Sequence, residues 1–445
     1  MFDTVRNAFK IKDIRGKILF TFVALLIVRL GSQLPLYKFS HSAADVFGSN
    51  DSLNFFDTLT GGSLSSLSIF ALNISPYITA SIIMQLLTIA IPSLEELHKD
   101  GESGRKKIAS YTRYMTIVLA IIEGAAMAFG FSSGSDPKLL LTTATDYIIV
   151  ISSLVAGSAF LMWLGEKING KGIGNGISII LAINILAKVP HDLYRLFMNY
   201  VVTPPDMVQK IIAIILIVGI LVALVFMINI LNGGERRIPV QYAKKVQGRK
   251  MVGGQSSHIP LKVNTAGVIP VIFASSIMSF PGLIAGFFGV QAASGASASI
   301  GQKILKLLSS NAWFNVKSPS EFKYTLGMLI YLALLVFFAY FYTTITFNPT
   351  EVANNMKKNG GFVPGIRPGK PTSDFLNKVL NNIVFIGAIG LAIVCVIPIL
   401  VQGITGASVS FGGTSLIIIV GVVLETVKQI ESQMLVRHYK GFLND

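Results

Sequence analysis

Apolar runs long enough to cross a hydrocarbon core of about 30 Å recur along the whole chain. They lie near 18–36, 74–91, 114–131, 146–164, 177–198, 208–231, 265–288, 324–347, 379–400 and 413–434. Inside lipid each backbone N–H and C=O must be satisfied by the chain itself, so runs of this length are held to helices. Several contain Gly or Pro, which neighbouring helices accommodate in a bundle. Of the 445 residues 52% are hydrophobic and only 13% are charged, whereas a soluble domain carries about 25% charge. The expected fold class is an all-α integral membrane protein with ten transmembrane helices.

The N-terminal stretch MFDTVRNAFKIKDIRGK is basic, and no small-residue cleavage site follows the first run, so a retained first helix is expected. Of the 37 Lys and Arg residues, 27 fall in one alternate set of loops, at 6–17, 99–113, 167–171, 236–262, 357–378 and 428–440. The positive-inside bias puts that set, and both termini, in the cytoplasm. Five spans precede Asn199 and five follow Pro205, which divides the chain into halves at 1–200 and 201–445. An odd number of crossings per half is the precondition for an inverted repeat around a central path. No residue-level repeat accompanies it. The loop near 289–323, on the other side, is rich in Ala, Ser and Gly and reads as a passive connector.

The ionisable residues singled out within the spans are Arg29, Glu123, Asp146 and Glu425, with Glu166 at a span end. Buried charge is costly, so each is either functional or paired locally near an interface. His-Glu zinc motifs, nucleophile elbows and phosphate loops are absent from the sequence. The stretch GIGNG at 172–176 lacks the Lys-Ser/Thr of a phosphate loop and opens an apolar run, so a tight turn is expected. The single cysteine, Cys395, lies inside a span and permits no disulfide or Cys-based metal site within one chain. An enzyme is not expected, nor any cofactor or metal.

The stretch TGGSLSSLSIFALNISPYITA at 60–80 reads as a span that has been broken. A Gly-Gly pair opens it, serines dilute its first half, and Asn73-Ile74-Ser75-Pro76 interrupts it. Aliphatic pairs follow along the centre: Ile74 with Ile78 and Ile177 with Leu181 share helix faces at i, i+4. Taken alone, such residues face lipid or core.

Two loops of the basic set exceed what a connector needs. The first, at about 232–262, flanks IPVQY with Arg236, Arg237, Lys244 and Lys245, then carries Arg249 and Lys250, and suits a protruding hairpin. The second, at about 348–374, opens with Asn348-Pro349, a cap for a short helix ending at Gly360-Gly361. Pro364, Gly365, Pro368 and Pro371 then stiffen a turn that presents Arg367 and Lys370, downstream of Lys357 and Lys358. Binding of anionic lipid explains the basic charge. The stiffened length suits an acidic or phosphate-rich partner such as ribosomal RNA.

Seven stretches resemble one known family: GGSLSSLSIFALNISPYITASIIMQLL, GESGRKKIASYTRY, MWLGEKINGKGIGNGISII, ERRIPVQYAKK, LKVNTAGVIPVIFASSI, NPTEVANNMKKNGGFVPGIRPGKPT and FGGTSLII are similar to motifs of the SecY family of protein-conducting channels. The likeness runs from the first span to the last. It implies two inverted five-helix halves around a central hourglass pore, which passes unfolded secretory polypeptides across the bacterial plasma membrane. By motif, the constriction ring implied is Ile78, Leu181, Ile272 and Ile418, with Ile74 and Ile177 adjacent; the family usually has Ile where this chain has Leu181. The resemblance makes 60–72 a short helical plug, including Gly61, Gly62, Ser63, Leu64, Ser65, Ser66, Leu67, Ser68, Ile69 and Phe70, with Asn73 to Pro76 as its hinge. Its serines and glycines are expected to keep it weakly packed. Thr79, Gln85 and Asn264 match polar positions of a lateral gate that releases transmembrane segments into lipid. The two basic loops match the docking site for the ribosome and the motor ATPase SecA. The partners implied are the subunits SecE and SecG, signal peptides, nascent chains and anionic lipids. A secondary transporter of inverted repeats is the competing reading; the sparse intramembrane charge and large basic loops count against it. A membrane scaffold would explain the loops but not the Gly-Ser segment.

Overall fold

Each of the ten apolar runs falls on a helix of the computed structural model, which describes residues 2–39, 57–132, 139–198, 202, 207–242, 245–247, 250–252, 256–287, 299–309, 313, 324–405 and 413–441. The first half contains α1 (Phe2–Lys10), α2 (Lys12–Gly31), α3 (Ser75–Ala90), α4 (Pro92–Lys99), α5 (Gly101–Ser132), α6 (Ala144–Lys171) and α7 (Gly176–Phe197). The second contains α8 (Met207–Gly233), α9 (Ile269–Phe287), α10 (Ile300–Leu308), α11 (Thr325–Thr346), α12 (Pro349–Lys358), α13 (Lys370–Thr405) and α14 (Gly413–Gly441). By length and apolarity alone, four stretches among the described residues can each cross a bilayer: Gly101–Ser132, Ala144–Lys171, Thr325–Lys358 and Lys370–Val401. The pair α3 and α4, bent by 100°, makes a fifth. The count of ten crossings therefore rests on the sequence.

Local chemistry explains where these helices begin and end. Ile91 precedes Pro92 and is extended (φ −110°, ψ 113°), as the proline ring demands of its predecessor, so α3 turns sharply into α4. A capping box of Thr143 and Asp146 starts α6. The 172–176 stretch is the expected turn between α6 and α7, with Gly174 at φ +81°. Its amides are taken up by the protein: Ile173 N donates to Thr21 Oγ1 at 3.1 Å and Gly176 N to Asn169 Oδ1 at 2.7 Å.

Helices α2 to α7 pack on one another, as α8 to α14 do. The two groups meet where α14 lies against α7 and α9 against α5. One apolar core runs through both groups, from Val28 of α2 and Leu164 of α6 to Tyr331 of α11 and Val422 of α14.

The architecture departs from all-α in the basic loops. Strands β1 (Glu235–Tyr242) and β4 (Ser256–Lys262) pair antiparallel, from Glu235↔Lys262 to Gln241↔Ser256, as the expected hairpin. Strands β2 (Lys245–Gln247) and β3 (Lys250–Val252) pair beyond them. The second loop contributes β5 (Gly361–Phe362), whose Phe362 pairs with Gln241 of β1. Both loops therefore share one three-stranded sheet, β4-β1-β5, seated on a core of Ile238, Val240, Leu261, Met356 and Leu376. The helix expected at Asn348-Pro349 is α12: Asn348 Oδ1 accepts from Thr350 N at 3.1 Å and Glu351 N at 3.3 Å.

The described part of 289–323 corrects the reading of a passive connector. Helix α10 starts at a capping box of Ser299 and Gln302, and buried Trp313 donates to Leu307 O at 2.8 Å. The apolar spacing of IGQKILKLL, hidden behind an Ala-Ser-Gly stretch, is enough to make this segment a helix.

Candidate functional site

The candidate ring residues come from four helices and belong to one large apolar core. Ile74 is the N-cap residue of α3 and Ile78 lies one turn on; Leu181 is on α7, Ile272 on α9 and Ile418 on α14. All five are buried in the central apolar core, and Ile177 packs against it. Beside them, a cavity of about 20 Å³ is lined by Ile78, Thr79, Leu181, Ser276, Phe280 and the residues Leu59, Thr60 and Asn73. That space holds about one water. Ile78 and Leu181 line this cavity from the first helix group, and Ser276 and Phe280 of α9 line it from the second.

The 57–74 segment corrects two expectations. Residues 57–60 are helical, but 61–74 form a succession of hydrogen-bonded turns instead of a helix over 60–72. Gly61 (φ +66°), Gly62 (φ +87°), Leu67 (φ +42°) and Asn73 (φ +51°) take left-handed conformations that an α-helix cannot propagate. The serine hydroxyls compete with the helical ladder. Ser63 Oγ donates to Thr60 O at 2.9 Å, Ser65 Oγ and Ser66 Oγ each to Gly62 O at 2.9 Å, and Ser68 Oγ to Ser63 O at 3.1 Å.

Nor is the segment weakly packed. Ser63, Leu64, Leu67, Ser68, Phe70, Ala71, Leu72, Asn73 and Ile74 are all buried. Small residues on the surrounding helices make room for it: a Cβ at Gly157 of α6 would strike the Ile69 carbonyl, and one at Gly31 would strike the Phe70 ring. Phe70 also stacks on Phe160, centroids 6.0 Å apart. The backbone joins the extended chain after α2, with Leu36 N donating to Leu67 O at 2.9 Å and Ile69 N to Leu34 O at 3.0 Å. Serine and glycine content reads as looseness in sequence; here the glycines permit close turns and the serines satisfy backbone carbonyls.

The intramembrane ionisable residues resolve one by one. Asp146 pairs with Lys38 at 2.7 Å, which holds the Lys38 ammonium above its ordinary pKa through that bond. Glu166 pairs with Arg113 at 2.7 Å and Glu425 is exposed. Arg29 Nη1 donates to Gly61 O at 3.3 Å. Glu123 is 4% exposed, and its buried Oε1 has no hydrogen-bond partner among the described residues. The three candidate gate residues do not converge. Thr79 Oγ1 donates to its own helix at Ser75 O (3.2 Å), and Asn264 pairs with Asn232 at 2.8 Å. Gln85 alone reaches across, accepting a hydrogen bond from Tyr342 on α11 and so linking the two helix groups.

The SecY family model matches residues 68–427. The chain belongs to the SecY family. It is 40% identical over 447 residues to the protein translocase subunit SecY of Halalkalibacterium halodurans, with 100% of both chains covered. Its fold resembles that of a SecY structure in which the plug domain stabilises the closed state of the translocation channel and maintains a membrane seal (TM-score 0.64, 18% identity, 94% of this chain and 92% of that chain). It also resembles an idle yeast Ssh1 complex bound to the yeast 80S ribosome (TM-score 0.59, 18% identity, 96% and 89% covered).

In this SecY-family chain the basic loop residues fall on both parts of the shared sheet domain. Arg236 and Arg237 are exposed on β1, where Arg237 bonds Glu235 at 2.7 Å and holds that carboxyl below its usual pKa range. Lys357 and Lys358 are exposed in the last turn of α12, and Arg367 and Lys370 are exposed on the proline-stiffened turn. Thr372 Oγ1 donates to Arg367 O at 2.8 Å, which fixes the turn's backbone and leaves the guanidinium outside. Lys245 and Lys250 lie on β2 and β3, while Lys244 and Arg249 fall outside the described residues. Sequence reasoning missed Asp57 within the 57–74 segment and Asn184 and Lys188, which bond to that segment; the signal that could have found them was a lysine inside the apolar run 177–198.

Proposed function

We propose that this chain is the central subunit of a protein-conducting channel that passes unfolded secretory polypeptides across a bacterial plasma membrane, with both termini cytoplasmic. The observation that carries the reading is the burial of Ile74, Ile78, Leu181, Ile272 and Ile418, from separate helices, in the one apolar core shared by both helix groups; we read them as an aliphatic neck, with the 57–74 segment packed beside Ile78 and Leu181. A narrow aliphatic neck resists wetting and ions yet offers a moving chain no polar site to stick to. Leakage is driven at about 2.3 kcal/mol per charge per 100 mV of membrane potential, so a resting seal is required. The plug reading draws support from the SecY relative whose plug maintains a membrane seal.

Lateral release would occur beside α3, where the bond from Tyr342 to Gln85 joins the two helix groups. A nascent segment sampling lipid there gains roughly 0.3–0.6 kcal/mol for each Leu, Ile, Phe or Val at the membrane centre and loses about 2.5–3.5 kcal/mol for each charge. No covalent step is needed, so the chain acts as a channel and not as an enzyme; the motor SecA or the ribosome supplies the energy. The exposed cations Arg236, Arg237, Lys357, Lys358, Arg367 and Lys370 on one domain suit those acidic and phosphate-rich partners, and the likeness to a ribosome-bound channel supports the ribosome among them. SecE and SecG as companion subunits, signal peptides as openers and anionic lipids as surroundings complete the reading. Reconstitution in vesicles tests it. A secretory polypeptide should become protease-protected only when SecA and ATP are supplied; protection without the chain, or none with every component present, overturns the function.

A further inference from the structure

Helix α7 grips the 57–74 segment at both ends. Asn184 and Lys188 lie one turn apart on the same face of α7, and Leu181 of the neck lies one turn before Asn184. At the entry, Lys188 Nζ bonds Asp57 Oδ2 at 2.5 Å, with the two side chains 16% and 5% exposed. The other carboxylate oxygen, Oδ1, accepts from Ser65 N at 2.7 Å, so Asp57 ties the ion pair to the first turns of the segment. At the exit, Asn184 Nδ2 donates to Asn73 Oδ1 at 3.3 Å, and Asn73 Nδ2 donates to Leu59 O at 3.0 Å. Asn73 sits at φ +51°, so this pair of bonds also fixes the left-handed residue where the chain turns into α3. Between the two ends, Gly61 is wedged against the helix: a Cβ there would lie 2.6 Å from Asn184 O and 2.8 Å from Arg29 Nη1.

We infer that Asn184 and Lys188 are positioning residues that clasp the segment to α7, and that the Asp57–Lys188 ion pair sets how readily it leaves the neck. This rests on the reading of 57–74 as a displaceable seal. An ion pair this buried is favourable only while both partners remain, because either one alone is a buried charge without a counter-ion. Displacement hydrates both charges, so the pair resists small excursions of the segment yet releases it once the partners part. Since Leu181, Asn184 and Lys188 share one stripe, a chain entering the neck against Leu181 would disturb the helix that holds the clasp.

The test uses the full chain in lipid vesicles, with two independent readouts: amide exchange in 61–72 and resting ion conductance. Lys188→Met keeps the apolar stem and strands the Asp57 carboxylate; exchange should rise about tenfold or more, and conductance with it. Lys188→Arg should restore the parent behaviour, which a merely structural loss of packing would not. Asp57→Asn combined with Lys188→Met removes both charges and should loosen the segment less than the two single changes together; this variant also serves if the stranded charge prevents accumulation. Raised exchange at unchanged conductance supports the clasp and overturns the seal. Unchanged exchange in Lys188→Met, or additive effects in the double variant, overturns the clasp.

Discussion

Truncating Phe70 to Ala removes the side chain that fills the gap between α2 and α6. Its ring lies against Gly31 on one side and stacks on Phe160 at 6.0 Å on the other, and the residue is 8% exposed. Phe→Ala in a core costs about 3–5 kcal/mol. Phe160 is itself 38% exposed, so part of the stacking surface is already open and the lower end, about 3 kcal/mol, applies here. Phe70 belongs to the 57–74 segment, so on the plug reading the loss falls on docking of 57–74 and not on global unfolding. About 3 kcal/mol shifts the docked-to-displaced ratio by about two orders of magnitude. Amide exchange across 61–72 should therefore accelerate by about a hundredfold while the thermal midpoint of the bundle moves little. Gly31→Ala attacks the same contact from the other side, since its Cβ would enter the ring's space; overpacking of this kind costs about 1–3 kcal/mol. With Ala at position 70 the clash vanishes, so the double variant should be less perturbed than the sum of the two. A lowered thermal midpoint with unchanged local exchange would refute the argument, because Phe70 would then be part of the bundle's core and not of a separable plug.

Replacing Ile78 and Ile272 with Gly should open the proposed aliphatic neck and raise resting conductance in planar bilayers; unchanged conductance would remove the two residues from the sealing surface. Arg367→Glu should impair motor-driven secretion at unaltered thermal stability, because the guanidinium is exposed and only the residue's carbonyl is used within the turn; normal secretion would take Arg367 out of the docking surface. Asn348→Ala removes the side-chain acceptor for Thr350 N and Glu351 N and should cost about 1 kcal/mol, seen as faster exchange in α12 alone.

The helical runs were legible because hydrophobic length is a local property, and the Asn348 cap and β1–β4 hairpin because their residues stand close in sequence. The pairing of β5 with β1 was not legible, since Gln241 and Phe362 lie far apart in sequence and a two-residue strand leaves no periodic signal. The serines of 60–74 misled for a different reason. Composition reports that a segment is polar, and only the φ values at Leu67 and Asn73 reveal turns whose carbonyls those hydroxyls satisfy. The ring positions came from a family likeness, as isolated aliphatics in an apolar chain carry no distinguishing mark. The clasp escaped because Asp57, Asn184 and Lys188 acquire meaning only when the segment folds back on α7.

The three-stranded sheet has a mechanical consequence. β1 follows directly from α8, β4 leads to α9, and β5 lies between α12 and α13, so one small rigid body is anchored to the ends of several second-half helices. Whatever grasps Arg236 on one loop and Arg367 on the other holds a single handle, and cannot pull one helix of that group without levering the rest. On the proposed reading, in which Ile272 and Ile418 on that group face Ile78 and Leu181 on the other, torque on the handle would change the bore.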